Sequence, residues 1–288
     1  LGNGFSFYAN GFQVVSTDTG VNANGGTYIY LAIAADGSTA TPSLANSFAT
    51  EIYTGNGGTK SVTTGFKPDF TWVKTRSISS GHVLRSIGMD STYTLSSNST
   101  AGLNTAQPTG GRLQLDSNGF TVRDTSGNGY GTNGNSATQV AWSWKAGGTP
   151  SINTDGTITS IVSANQAAGF SIVKYTGNNV AGATIGHGLG AEPNMIIVKN
   201  LSTTDNWTVQ TSDLTYTNYI DLNSTNAASS NSSVWYAQPT SNVFSFGANP
   251  RGNGSGNSII AYCFKSISGY SKVGTYTGTG VAGEAGSL

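Results

Sequence analysis

The sequence predicts an all-β protein built from tandem antiparallel β-sandwich (jelly-roll) domains. Three observations predict it. Short apolar runs rich in β-branched and aromatic residues recur between Asn-Gly, Ser-Gly and Gly-Asn turns. No window carries the apolar period and caps of an amphipathic helix. The same sequence blocks return in the same order along the chain.

Strands are expected over 70–74, 113–115, 120–122, 140–144, 170–175, 195–199, 243–246 and 259–265. Each alternates apolar and polar residues or runs apolar, as a half-buried or fully buried strand does. The intervening Asn and Gly residues supply positive φ at little cost, so the chain can reverse within a few residues. Several short strands per unit with such turns describe two stacked sheets.

The repeat starts with a Tyr-Thr-Gly block, reading IYTGNGG at 52–58, KYTGNN at 174–179 and TYTGTG at 275–280. A Pro-led strand follows, from Pro68 to Lys74 and from Pro193 to Lys199, six residues in both cases. Tyr93-Thr94-Leu95 then faces Tyr219-Ile220-Asp221, and Gly119-Phe120-Thr121-Val122 faces Val243-Phe244-Ser245-Phe246. Ala141-Trp142-Ser143-Trp144-Lys145 closes the first unit and Ala261-Tyr262-Cys263-Phe264-Lys265 the second. The Tyr53-to-Tyr175 spacing is 122 residues and the Lys145-to-Lys265 spacing is 120. Chance recurrence in a biased composition would not keep order and spacing together. The division expected is the tail of a preceding repeat at 1–45, a first repeat at 46–149, a linker at 150–168 and a second repeat at 169–268. Residues 269–288 start a further repeat and are a candidate strand for a neighbour. Asn10-Gly11-Phe12-Gln13-Val14 marks the first fragment by its likeness to Asn118-Gly119-Phe120-Thr121-Val122.

Composition excludes several functions. The chain has 288 residues, Lys+Arg 13 against Asp+Glu 13, and only 9% charged residues. Nucleic-acid binding needs a basic excess to neutralise phosphates, so no nucleic acid is expected as a partner. The longest dense apolar stretch, 28–35, falls well short of the ~18–20 residues of a membrane span, so no membrane insertion is expected. Cys263 is the single cysteine, which leaves no intrachain disulfide and no Cys-based zinc site. Disorder is disfavoured by the 10% aromatic content. Leu1 opens the chain without Met or a signal-peptide pattern, as expected of a processed chain or a piece of a longer one.

The search for chemistry yields no catalytic residue. His82 lies in a Ser/Gly-rich stretch, and His187, in Gly186-His187-Gly188, reads as a surface-turn histidine without a partner group. Glycosidases need two facing carboxylates. Glu51, Glu192 and Glu284 stand alone, and Asp205 and Asp213 read as loop residues. The Gly129-Tyr130-Gly131-Thr132-Asn133-Gly134 pattern has no helix after it and reads as accidental. No cofactor or metal is expected. The one calcium candidate, Asp124-Thr125-Ser126-Gly127-Asn128, competes with a hydrogen-bonded Asp turn. Asn98, Asn200, Asn206, Asn223, Asn231 and Asn253 head Asn-x-Ser/Thr triplets and read as turns. Trp72, Trp142 and Trp144 sit in repeated strands and read as core. Trp207, Trp235 and Tyr236 sit outside the repeated blocks and are the candidates for a glycan or partner contact.

The blocks YTGNG, GFKPDFTWVK, LSSNST, AWSWKAGG, GHGLGAEPNMIIVKN and GNSIIAYCFKSISGYSKVGTYTG resemble tandem repeats in virion structural proteins of marine bacteriophages, the tail-fibre or fibre-like proteins. The resemblance runs from about residue 46 to the end and more faintly through the first 35. It implies a concanavalin A-like jelly-roll fold, a virion-surface location and no catalytic motif. It also implies partners: further copies of the chain (a trimer is usual for fibres), other virion proteins and host-surface glycans. The function expected is assembly with host attachment. A lectin-like module or adhesin without a virion role is the alternative. A depolymerase acting through Glu192 or Asp205 is the third reading.

Overall fold

The computed structural model describes residues 4–8, 11–34, 44, 46–103, 112–124 and 131–283. The chain divides into two compact units. A central unit spans Ala34–Tyr270, and a terminal unit joins Leu1–Ile33 to Ser271–Leu288. Among the described residues both consist mainly of strands paired antiparallel, with one-turn helices such as α1 (Thr19–Asn22) and α2 (Pro250–Asn253).

In the first repeat of the central unit, β4 (Phe48–Thr54), β10 (Thr138–Trp144), β6 (Phe70–Thr75) and β7 (His82–Ser86) pair in that order. A second sheet orders β5 (Thr59–Thr63), β9 (Gly119–Arg123) and β8 (Leu113–Asp116). Tyr53, Val73, Val83 and Ala141 of the first sheet close on Val62, Leu113, Phe120 and Val122 of the second. Alternation along each strand sends these side chains to one face, where burial of apolar area stabilises the pair of sheets.

The second repeat repeats the plan. Its large sheet contains β13 (Phe170–Thr176), β21 (Ser258–Phe264), β15 (Met195–Asn200), β16 (Thr208–Thr211), β17 (Asn218–Asp221) and β18 (Ser229–Ser230). Its small sheet orders β14 (Ala183–Gly186), β20 (Val243–Phe246) and β19 (Trp235–Ala237). The core holds Val173, Ile196, Val198 and Ala261 from one sheet and Ile185, Trp235, Phe244 and Phe246 from the other.

Residues 150–168, expected as a linker, are a correction. They carry β11 (Ser151–Asn153) and β12 (Ser160–Asn165), which extend the large sheet beside β13. Ser160, Val162 and Ser163 are buried there, so a polar composition did not exclude a strand.

The terminal unit is assembled from both ends of the chain. A hairpin of β1 (Phe5–Tyr8) and β2 (Gly11–Val14) accompanies a two-stranded sheet of β3 (Thr27–Ile33) and β22 (Ser271–Thr277). The Tyr-Thr-Gly strand pairs in one register in all three places. Tyr53 faces Gln139, Tyr175 faces Ile259 and Tyr276 faces Tyr28. The hairpins match too: Leu115 faces Phe120 in the first repeat as Phe7 faces Phe12 in the terminal unit. Phe12 packs edge-on against Tyr276 at 5.9 Å, as Phe120 does against Tyr53 at 6.1 Å and Phe244 against Tyr175 at 6.1 Å.

Candidate functional site

The repeated Tyr-Thr-Gly block is one half of a polar clasp, and a buried asparagine is the other half. Tyr53 Oη donates to Thr132 O at 2.6 Å, Tyr175 Oη to Gly252 O at 2.7 Å and Tyr276 Oη to Val21 O at 2.8 Å. The residue after each of these carbonyls is Asn133, Asn253 or Asn22, all buried. Each asparagine Oδ1 accepts from the backbone N–H three residues after the tyrosine: Asn56 at 3.1 Å, Asn178 at 2.9 Å and Thr279 at 2.8 Å. Each Nδ2 donates to carbonyls nearby, such as Gly58 O, Val180 O and Ser16 O. The glycine of the block lets the two segments touch. A Cβ at Gly55, Gly177 or Gly278 would lie 2.1–2.3 Å from Gly134 O, Gly254 O or Ala23 O. No other residue permits that approach. The Gly131-Thr132-Asn133-Gly134 stretch, read as accidental, is therefore one arm of the clasp.

The Pro-led strands carry two further repeated contacts. Asp69 Oδ2 accepts from Ala146 N at 2.8 Å and Asn194 Oδ1 from Ser266 N at 2.8 Å, capping the end of the neighbouring strand in each repeat. Burial is the main influence on the Asp69 carboxyl and raises its pKa, against the Gly148 and Ala146 N–H donors and Lys67 and Lys145. Lys74 Nζ donates to Ser80 O at 2.8 Å and Lys199 Nζ to Asp205 O at 2.6 Å, in both cases six residues ahead. Lys199 also reaches Thr100 O, in the first repeat, at 2.8 Å. Burial lowers its pKa to about 8, opposed by Asp205.

The two repeats of the central unit meet through the outer faces of their large sheets. Phe70 stacks on Tyr262 at 4.4 Å, and Trp144 meets Phe264 edge-on at 6.2 Å. Trp144 and Phe264 occupy the same place in their repeats, each five residues beyond the partner of the clasp tyrosine. Phe170 completes the cluster 6.2 Å from Trp144. Ser86 Oγ and Tyr262 Oη share a hydrogen bond at 3.1 Å. Such aromatic pairs contribute about 0.5–1.5 kcal/mol each beyond the area they bury.

The expected contact residues are dispersed. Trp207 is 0% exposed and donates its Nε1 to Ser96 O of the first repeat at 3.0 Å. Trp235 is also 0% exposed and packs on Phe246 at 4.3 Å in the core. Neither can stack on a sugar, which corrects that expectation. Trp235 belongs to the core of the second repeat, and Trp207 to its contact with the first. Tyr236, next along β19, is 49% exposed. Trp72 and Trp142, read as core, are only half-buried; Trp72 Nε1 donates to His82 Nδ1 at 2.7 Å.

His187 is not a surface-turn residue. It is buried, its Nε2 bonds Thr240 O at 3.2 Å, and its Nδ1 accepts from Leu189 N. Asp205 lies 3.5 Å from Arg251, which also pairs with Asp221 at 2.6 Å and covers the Tyr219 ring. Glu192 accepts from Gln238 at 2.6 Å. Of the triplet asparagines, Asn253 is the clasp residue, and others close local turns. Asn200 Oδ1, for example, accepts from Ser202 N at 2.9 Å. Beyond Asp124, the calcium candidate lies outside the described residues, as does Glu284. Among the described residues no group of three or more His, Cys, Asp or Glu gathers, and no helix is long and apolar enough to cross a membrane.

Fold and contacts together define a repeat-built, all-β protein whose recurrent residues hold strands and loops together. Residues 43–285 match the family described as a domain of unknown function, DUF7483, and the chain belongs to that family. No curated protein and no solved structure matches it.

Proposed function

We propose that the chain is a structural protein of a bacteriophage virion that acts by assembly and by attachment at the particle surface. The observation that carries this reading is the use of the repeated residues. The Tyr-Thr-Gly tyrosines, the buried asparagines and the strand-end lysines all bond backbone of their own scaffold. The clasp and the sheet-to-sheet aromatic contact are means of joining units, as an assembling protein requires. Low charge and a surface rich in hydroxyls and amides suit a particle in salt water, where charge is strongly screened. The motif resemblance to marine phage fibre proteins points the same way, and a concanavalin A-like jelly roll is the finer fold proposed for each repeat.

Light scattering with negative-stain microscopy on the purified chain tests the proposal. A regular oligomer or filament is the expected result. A monomer at every concentration, with no ordered particle, overturns it.

A further inference from the structure

We propose that the open edge of β3 in the terminal unit binds an extended segment of this repeat family. The segment has the type Pro-(Asp/Asn) followed by four apolar or hydroxyl residues and Lys. In the two complete repeats the strand equivalent to β3 has a neighbour on each side. β10 lies between β4 and β6, and β21 lies between β13 and β15. Among the described residues β3 pairs with β22 alone. The neighbour it would take has two versions in the chain, Phe70–Thr75 and Met195–Asn200, both antiparallel and in one register.

The backbone of β3 is set for that neighbour. Ala34 N donates to Tyr270 O, and Gly278 N to Gly26 O. These bonds put the even-numbered residues of β3 in the bonded pairs with β22. Antiparallel alternation then turns the N–H and C=O groups of Ile29, Leu31 and Ile33 to the open edge. The same parity holds where the edge is filled: Asp69 N donates to Trp144 O, and Asn194 N to Phe264 O. Tyr30 does not obstruct the edge. Its hydroxyl lies over Gly274 of β22, where a Cβ would meet it at 2.8 Å.

The edge also lacks the usual protection against pairing. Natural edge strands are kept short or carry Lys, Pro or a bulge. β3 reads Thr-Tyr-Ile-Tyr-Leu-Ala-Ile, seven residues without a charge or proline, and pairs without a bulge. Ile29, Leu31 and Ile33 stay half-buried, whereas Ile260, Tyr262 and Phe264, their equivalents on β21, are buried. An added strand supplies main-chain bonds for affinity and alternate side chains for specificity. It would set apolar side chains equivalent to Phe70 and Trp72 beside Ile33 and Leu31.

The inference deepens the assembly reading and rests on it, but its test is separate. The full chain is titrated with a synthetic peptide of the 65–76 sequence, GFKPDFTWVKTR. Hydrogen exchange is followed by NMR. The expected result is saturable binding with exchange at Ile29, Leu31 and Ile33 slowed by about tenfold or more, while Tyr28, Tyr30 and Ala32, already bonded to β22, stay unchanged. A peptide N-methylated at the amides facing β3 keeps its side chains and should lose the effect. Equal binding by the N-methylated peptide, or protection without this alternation, overturns the proposal. An oligomer in light scattering with no peptide binding leaves the assembly reading standing and removes this one.

Discussion

At the scale of single residues, the buried asparagines carry the most structure per atom. Asn253 makes four hydrogen bonds through one amide: it accepts from Asn178 N and Asn179 N and donates to Val180 O and Gly247 O. Asn253→Ala would remove all four bonds and the acceptor of Asn178 N, while Asn179 N, Val180 O and Gly247 O keep one backbone partner each, Asn253 O, Ala183 N and Asn249 N. Each lost hydrogen bond removes about 0.5–1.5 kcal/mol of net stabilisation. The variant should melt several degrees below the parent, whereas Asn226→Ala, at an exposed position, should change little. Equal melting temperatures in a calorimeter would contradict the clasp as a stability element. The clasp was half legible in the sequence. Tyr-Thr-Gly stood out because its three residues are adjacent. Asn133, Asn253 and Asn22 did not, because asparagine is abundant here and its partners lie roughly 75 residues away or at the other end of the chain.

At the scale of elements, β22 and β3 pair with each other in a two-stranded sheet among the described residues. Each supplies the other's ladder over seven residue pairs, and Phe12 packs on Tyr30 and Tyr276 across both. Removing residues 271–288 should therefore release 5–33 from protection against hydrogen exchange. The central unit, with its own cores, should keep its slow amides. Retained protection over 27–33 in the shortened chain would show that β3 folds without β22. The sequence identified 269–288 as the start of a repeat with an unpaired strand. It did not show that the chain's own N-terminal fragment is the partner, because pairing between segments so far apart leaves no local signal.

At the scale of the whole molecule, two neutral histidines make stability depend on pH. Burial lowers the pKa of His187, against the Thr240 carbonyl and Asp155, and lowers that of His82, where Lys74 adds to the effect. Both lie in the central unit, and in each Nδ1 accepts a hydrogen bond that protonation would remove. With folded pKa values below the unfolded value of about 6.5, the unfolded chain takes up protons first as pH falls. The stability these residues contribute is complete above about pH 6.5 and is lost as pH drops toward their folded pKa values. The urea midpoint of the central unit's transition should be lower at pH 5.5 than at pH 7.5. A flat or rising midpoint across that window would exclude the neutral, buried assignment.

The sequence by itself determined the all-β class, the two internal repeats and the register-bearing Tyr-Thr-Gly and Pro-to-Lys blocks. These are local properties: strand period, turn chemistry and spacing are written in adjacent residues. Only the tertiary structure decided that Trp207 and Trp235 are buried, that 150–168 adds strands to a sheet, and that residues from both ends of the sequence join in one unit. Each of these depends on which distant surface covers a segment. A hydroxyl-rich strand such as β12 or a solitary tryptophan has the same local signature whether a second sheet lies over it or water does.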